Sequence, residues 1–127
     1  MTTFEDYIKN FDYKSIPAMK INSEQLIEML PDGNVQVIDI RFKEEYEMWH
    51  SGIAKNIPIN ELPNRLDELD AEKLIVTACP HNLRSNIAMH YLKTKGFNVK
   101  FLTDGLTTLN SQLLGGNARK LYNTLNK

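Results

Sequence analysis

The sequence is poor in the residues that hold small proteins together without a large core. Cys79 is the only cysteine among 127 residues, so no disulfide can form within the chain and a reducing, cytoplasmic compartment is expected. The three histidines and this cysteine follow no usual zinc-ligand spacing, so we expect no metal site. A chain of this length can bury enough apolar surface to fold as one domain without such aids.

Long apolar runs and basic clusters are missing as well. No segment approaches the roughly 18 consecutive apolar residues of a membrane span, and the polar residues 1–14 show no secretion signal. The lysines and arginines are spread along the chain without interleaved aromatic residues. We therefore expect neither a membrane nor a nucleic acid as partner.

Acidic residues are almost absent from the second part of the chain. Residues 1–72 hold 7 Lys and Arg against 15 Asp and Glu, whereas residues 73–127 hold 8 against Asp104 alone. Cys79 lies in the positive part, where the potential would stabilise a thiolate and attract an anionic substrate. Alternatively, the two parts interleave in space and their charges cancel. The sequence leaves both possibilities open.

Strand-like and helix-like segments alternate along the chain. β-branched apolar runs predict buried strands at residues 35–40 and 73–78, and shorter strands are predicted near residue 20 and at 53–59 and 98–102. The predicted helices lie, in chain order, at residues 5–10, 23–30, 43–49, 60–69 (starting at Asn60 or near Pro63), in the ten or so residues that end at Gly96, and in two stretches split by Gly115 and Gly116.

This alternation predicts an α/β fold in which a parallel sheet carries helices on both faces. We assign residues 1–18 to an N-terminal extension and residues 19–127 to the folded domain. The last helix, residues 117–127, could cap the sheet or form a dimer contact, so monomer and homodimer both stay open. Functional sites of such sheets lie at the carboxyl ends of the strands, and Cys79 directly follows a predicted central strand.

The helix before Gly96 has a defined pattern. Ile87, Ala88, Tyr91 and Leu92 share one side at helical spacing, and we expect that side to face the sheet. Gly96 suits the left-handed residue that commonly ends a helix.

The segment from Cys79 to Arg84 joins the predicted strand to this helix. Backbone N–H groups of a tight loop converge on one point, and the helix N-terminus adds its positive end. We expect the N–H groups of residues 81–84 to stabilise a Cys79 thiolate, and Arg84 to bind an anionic substrate. The spacing alone does not decide this, because free cysteines are also among the most frequently buried residues.

The segments around the loop repeat the pattern of a known family. In chain order they are Asp39 and Arg41, Glu44-Glu45-Tyr46, His50, Asn56-Ile57-Pro58, Cys79, Arg84-Ser85, Gly96-Phe97 and Asp104-Gly105. In this order and spacing the chain resembles single-domain rhodanese-like proteins over about residues 20–114. The resemblance implies a three-layer α/β fold with a central parallel sheet of about five strands and helices on both faces.

The resemblance also implies a sulfurtransferase that needs no metal or organic cofactor. Cys79 would take a sulfur atom from a small anionic donor such as thiosulfate, mercaptopyruvate, a persulfide or a polysulfide. The resulting persulfide would pass the sulfur to cyanide or to a thiol, including a protein thiol.

Two sets of residues around Cys79 receive roles from the resemblance. The loop residues expected to bind the donor and stabilise the persulfide are His81, Asn82, Leu83 and Arg84. The residues expected to give structural support are Asp39, Arg41 and Ser85.

The loop departs from the family pattern. The usual loop begins Cys-Arg-Ser-Gly, whereas this one reads Cys-Pro-His-Asn. Pro80 removes one N–H donor, and Asn82 replaces the glycine as the next best residue for a left-handed conformation. No permanent cation follows the cysteine; His81 either substitutes for it or faces solvent without a role. Leu83 either packs beneath the loop or lines its mouth.

Two other functions stay open. One is a non-catalytic rhodanese-fold module that binds or regulates a partner, which Pro80 and the missing glycine favour and the retained Cys79 and Arg84 oppose. The other is a Cys-based phosphatase or arsenate reductase. The resemblance disfavours it, because the related phosphatases have a loop one residue longer than the six residues from Cys79 to Arg84.

Overall fold

The two β-branched runs form neighbouring strands at the centre of a parallel sheet. The structure is a computed structural model that describes residues 2–126; Met1 and Lys127 lie outside the described residues. Strands β1 to β5 are Lys20–Ile21, Val35–Asp39, Ala54–Asn56, Leu74–Ala78 and Val99–Leu102. They pair in parallel in the order β1-β5-β4-β2-β3, which confirms the predicted five-strand α/β fold.

Helices connect the strands. The α-helices α1 to α7 are Phe4–Lys9, Ser15–Ala18, Ser23–Met29, Lys43–Met48, Leu83–Thr94, Gly105–Gln112 and Gly115–Leu125. Three short 3-10 turns lie at Leu30–Asp32, Leu62–Asn64 and Leu66–Glu68. The start of α3 is well specified, because the side chains of Asn22 and Gln25 each accept the other residue's backbone N–H.

Side chains alternate between the two faces of the sheet, as the two-residue period of a strand requires. One face carries Ile38, Ile75 and Val99 and packs against α1 and α5. The other carries Val37, Val76 and Leu102 and packs against α3, α6 and α7. The result is three layers, with Cys79 belonging to the layer beneath α5.

The predicted helix at residues 60–69 is wrong. This segment forms the two 3-10 turns, separated at Arg65, whose φ of −129° leaves the helical region. The side chain of Gln36 bonds the Glu68 carbonyl and the Asp70 N–H, and both Leu62 and Leu69 reach the core. Tertiary contacts therefore override the local helical preference, which Pro63 had already weakened.

The predicted inner side of α5 is also partly wrong. Ile87 is 55% exposed, whereas the fully buried residues of this helix are Ser85, Ala88, Met89 and Leu92. These follow an i, i+3, i+4, i+7 pattern that begins with a serine, so a pattern drawn from apolar residues alone starts two positions late. Gly96 does adopt the predicted left-handed conformation, with a φ of +89°.

The first and last helical segments of the described residues pack on the sheet layers. In the N-terminal segment, Tyr7 and Phe11 lie against the cluster beneath α5, and the Tyr7 hydroxyl is 2.7 Å from His90 Nδ1. Near the other end, Leu121 of α7 is buried in the opposite cluster. The predicted extension and the predicted last helix are thus docked on the domain within the described residues.

Candidate active site

Cys79 directly follows β4, which lies between β2 and β5. The side chain is 2% exposed, and the Cys79 carbonyl accepts a hydrogen bond from the Leu106 N–H (2.9 Å). The residue therefore occupies the carboxyl edge of the central strand, where parallel sheets place their working sites.

The thiol contacts the first turn of α5. Ser85 donates its backbone N–H to Cys79 Sγ, and the Sγ–H donates to Ser85 Oγ, each over 3.4 Å. The Ser85 hydroxyl donates in turn to the Asn82 carbonyl (3.1 Å). Because a hydroxyl hydrogen can rotate, the same O–H can turn to Sγ once the thiol has lost its proton. Ser85 thus offers two donors to a thiolate.

The loop adds further donors. Within residues 2–126, the backbone N–H groups of residues 81–84 donate to no protein acceptor. Those of Leu83 and Arg84 belong to the N-terminus of α5, a 12-residue helix, whose unpaired N–H groups and positive dipole end favour an anion. The loop next to Cys79 therefore presents the unpaired N–H donors that bind an anion, and we call residues 79–84 the cradle.

The turn after β5 holds this cradle in shape. Gly105 has a φ of +80°, and a Cβ atom there would overlap the Pro80 carbonyl and lie 2.9 Å from the His81 carbonyl oxygen. Only glycine allows so close an approach of two backbone segments. Asn82 Nδ2 also donates to the Thr103 carbonyl (3.3 Å).

Arg84 is engaged by a carboxylate. Its two terminal nitrogens donate to Glu45 Oε1 (2.6 Å) and Oε2 (2.9 Å), and its guanidinium carbon lies 5.8 Å from the Phe42 ring centre. The hydrogen bond from Arg84 lowers the pKa of Glu45 to about 2, and the hydrogen bond to Glu45 raises the pKa of Arg84. In this ion pair, one charge from the acidic part of the sequence neutralises one from the basic part.

Arg41 and Asp39 form a second, fully buried pair behind the site. Arg41 is 1% exposed and Asp39 0%, with 2.7 Å between Arg41 Nη2 and Asp39 Oδ2. The same Nη2 donates to the Trp49 carbonyl (2.8 Å), and the guanidinium lies 4.2 Å from the Trp49 ring centre. Asn56 Nδ2 donates to the carbonyls of both Asp39 and Arg41, so the end of β2 is tied to β3.

The remaining predicted loop residues face solvent. His81 is exposed, and Leu83 is 72% exposed, so packing of Leu83 beneath the loop is wrong. Asn82 has a φ of −147°, and no residue other than glycine has a positive φ within residues 2–126. The left-handed conformation expected of Asn82 is thus not used, because its side chain bonds the neighbouring turn instead.

The remaining features of the described residues are their metal-ligating side chains, the contacts of His50 and the character of their helices. No group of three or more metal-ligating side chains occurs in residues 2–126. His50 stacks on Tyr46, with ring centres 4.0 Å apart, and contacts the Tyr46 carbonyl. No helix among these residues has both the length and the apolar character needed to cross a bilayer.

The sequence also matches the model of a known protein family. The family model of the rhodanese-like domain matches residues 22–112, which include strands β2 to β5, the cradle and both arginine pairs. The chain belongs to the rhodanese-like family. In this rhodanese-like domain, Cys79, the cradle and the turn at Gly105 all lie within the matched region.

The rhodanese-like domain resembles both larger proteins, of which it spans only part, and proteins of about its own size. An HTH-type transcriptional regulator of Mycobacterium tuberculosis is 34% identical over 97 residues, which cover 75% of this chain but only 43% of the regulator. The thiosulfate sulfurtransferase GlpE of Shewanella oneidensis is 28% identical over 85 residues, or 67% of this chain and 84% of GlpE. A solved rhodanese-related protein from Thermoplasma volcanium superposes with a TM-score of 0.66 at 27% identity, covering 73% of this chain and 91% of that one.

Sequence reasoning missed two functional contacts of this rhodanese-like domain. The family pattern contains Glu45 but does not indicate that it pairs with Arg84, which is 39 residues away. The same pattern predicts a turn at Gly105 but not its close contact with Pro80. Neither contact leaves a local signal, because each joins segments that follow different strands.

Proposed function

We propose that this rhodanese-like domain is a sulfurtransferase in which Cys79 carries the transferred sulfur as a persulfide. The observation that supports the proposal is the Cys79 thiol at the start of α5, bonded to Ser85 and next to the four uncommitted N–H groups of residues 81–84. Family membership supports the reaction class. The name of the relative GlpE, a thiosulfate sulfurtransferase, supports thiosulfate as one donor to be tested.

In the first half-reaction, the Cys79 thiolate attacks the outer sulfur of the donor. With an alkyl persulfide, Cys79–S⁻ and R–S–SH give Cys79–S–SH and R–S⁻, so one S–S bond forms as another breaks. With thiosulfate, the leaving group is sulfite and the product is Cys79–S–S⁻. Ser85 turns its hydroxyl toward the thiolate, and the N–H groups of the cradle stabilise the negative charge on the new outer sulfur.

In the second half-reaction, an acceptor takes the outer sulfur. Cyanide attacks it to give thiocyanate and regenerates the Cys79 thiolate, and a thiolate acceptor leaves as its own persulfide. The acceptor itself resolves the intermediate, so a single cysteine suffices. The chemistry requires no second cysteine in the chain.

The two rivals make different demands on the same loop. A binding module needs the surface around Cys79 but no reactive thiol, so it does not account for the Ser85 bonds to Sγ. A phosphatase or arsenate reductase is expected to have a loop one residue longer than the six residues from Cys79 to Arg84. We therefore rank sulfur transfer first.

Incubation with a panel of substrates separates the three functions. The purified chain is treated with thiosulfate, 3-mercaptopyruvate or an alkyl persulfide, and its intact mass is measured. We expect a species heavier by one sulfur atom with at least one donor, which disappears on adding cyanide. The control variant Cys79→Ser should show no such species.

The contrary outcomes point to the rivals. If no donor adds sulfur while the chain remains folded by circular dichroism, the binding module becomes the better account. Cys79-dependent hydrolysis of an aryl phosphate, without any sulfur adduct, would instead establish the phosphatase.

A further inference from the structure

The cationic side chains at the cradle are already occupied. Both oxygens of Glu45 accept hydrogen bonds from the terminal nitrogens of Arg84, and both oxygens of Asp39 accept from Arg41. The carboxylates neutralise both guanidinium groups, so neither offers an uncompensated positive charge to a bound anion. Unlike Asp39, Glu45 is well exposed, with 37% of its side chain accessible, so it also presents negative charge to an approaching anion.

The loop itself supplies no permanent cation to replace them. Between Cys79 and Arg84 it reads Pro-His-Asn-Leu, and His81 is the only titratable residue in that stretch. His81 makes no hydrogen bond or ion pair with any residue in the described part of the chain, and it is exposed. The charge available to a donor therefore comes mainly from backbone N–H groups.

Apolar side chains stand next to the paired arginines. Phe42 is 41% exposed and lies against Arg84, and Leu83 is 72% exposed in the loop. Large exposed apolar side chains next to a reactive group favour an apolar ligand over a strongly hydrated one. A dianion would lose its water at this site without gaining a free cation.

The candidate donors differ in the charge that they bring. Attack of a thiolate on thiosulfate joins one negative charge to two, whereas attack on a protonated alkyl persulfide joins one negative charge to none. The first reaction needs an uncommitted cation far more than the second, because like charges at short range repel strongly in a partly desolvated site.

Resting on the sulfurtransferase proposed above, we infer that Glu45 sets the donor class of this site. By holding Arg84, Glu45 disfavours thiosulfate and leaves a cradle suited to a low-molecular-weight alkyl persulfide. Glu45 touches neither the donor nor the reacting sulfur atoms, so it acts as a specificity-determining residue through Arg84.

The test compares two donors on three proteins. The donors are thiosulfate and the persulfide of N-acetylcysteine methyl ester, which is uncharged when protonated, and kcat and KM are measured for each. Wild type should have a kcat/KM at least tenfold higher for the persulfide. Glu45→Gln, which frees the guanidinium, should lower the KM for thiosulfate by about tenfold and leave the persulfide values within about twofold.

Glu47→Gln is the matched control. It removes the same charge from the same helix, but Glu47 pairs only with Lys43, at 3.7 Å on the surface. We expect its donor preference to equal that of wild type. A general charge effect would instead improve thiosulfate use equally in Glu45→Gln and Glu47→Gln, and it would overturn the inference.

A second variant keeps the test decisive if Glu45→Gln folds poorly. Arg84→Met removes the guanidinium and leaves the Glu45 carboxylate unpaired beside the cradle, so thiosulfate kcat/KM should fall relative to that of the persulfide. A donor ratio unchanged in both variants, or a wild type that prefers thiosulfate, contradicts the inference. Failure of every donor to load wild-type Cys79 would instead count against the proposed function.

Discussion

Arg41 and Arg84 are held by the same kinds of partner in different surroundings. Each guanidinium has one carboxylate and one aromatic ring, which are Asp39 and Trp49 for Arg41 and Glu45 and Phe42 for Arg84. Arg41 is 1% exposed, whereas the Arg84 side chain is 30% exposed. The buried Asp39–Arg41 pair therefore stabilises the edge of the sheet, whereas the Glu45–Arg84 pair is accessible to solvent and can influence a bound ligand.

Breaking the buried pair should have the largest effect. Asp39→Asn leaves the Arg41 guanidinium buried without its counter-charge, and removing one partner of a buried pair typically costs about 3–5 kcal/mol. We expect the free energy of unfolding, measured with urea, to fall by about that amount. The double variant Asp39→Asn with Arg41→Met should recover part of the loss, since no unpaired charge remains. A loss below about 1 kcal/mol would show that the pair is not needed.

Displacing the cradle while leaving both arginine pairs intact should lower the free energy of unfolding less than Asp39→Asn does. Its main effect should be on the rate of sulfur transfer. In Gly105→Ala the new Cβ meets the backbone of Pro80 and His81, so the loop must move. We expect a stability loss of roughly 1–3 kcal/mol and a drop in sulfur-transfer kcat/KM of about tenfold or more.

Gly116→Ala is the control for this substitution. A Cβ at Gly116 meets nothing within 4 Å, and the residue lies in α7. Its kinetics should match wild type. Normal kinetics in Gly105→Ala as well would mean that the cradle tolerates displacement.

Removing the exposed pair should have the smallest effect on stability, and that effect should depend on pH. The folded-state pKa of Glu45 is lowered to about 2 from its usual 4.5, so the pair stabilises the fold above about pH 4.5 and this contribution is lost as the pH falls through 2. Glu45→Gln should therefore be less stable than wild type by about 0.5–1 kcal/mol at pH 7. Thermal unfolding in steps from pH 7 to 2 should show the two proteins converging; a constant difference would argue against the pair.

The sheet could be predicted from the sequence because its determinants are local. The runs ending at Ile40 and Ala78 are β-branched and apolar, and such short runs are typical of strands that are buried on both faces of a parallel sheet. The position of Cys79 follows from the same rule, since a residue just after a central strand must lie at the carboxyl edge. Gly96 likewise carries its own conformational signal.

The errors arose where distant residues decide the conformation. The helix expected at residues 60–69 is broken by bonds from Gln36, and the predicted inner side of α5 missed Met89 because a buried Ser85 opens the true pattern. The contact between Glu45 and Arg84 joins helices α4 and α5, and no local periodicity indicates it. The fold class could thus be read from the chain, whereas the electrostatics of the site required the structure.

The most direct measurement of the central claim is the number of cyanide-labile sulfur atoms per chain. The protein is loaded with an excess of alkyl persulfide, freed of small molecules, and treated with cyanide, and the thiocyanate released is counted against protein. Because Cys79 is the only cysteine, we predict close to one sulfur per chain for wild type and none for Cys79→Ser. Release of no thiocyanate from wild type, or of equal amounts from both proteins, would contradict the account.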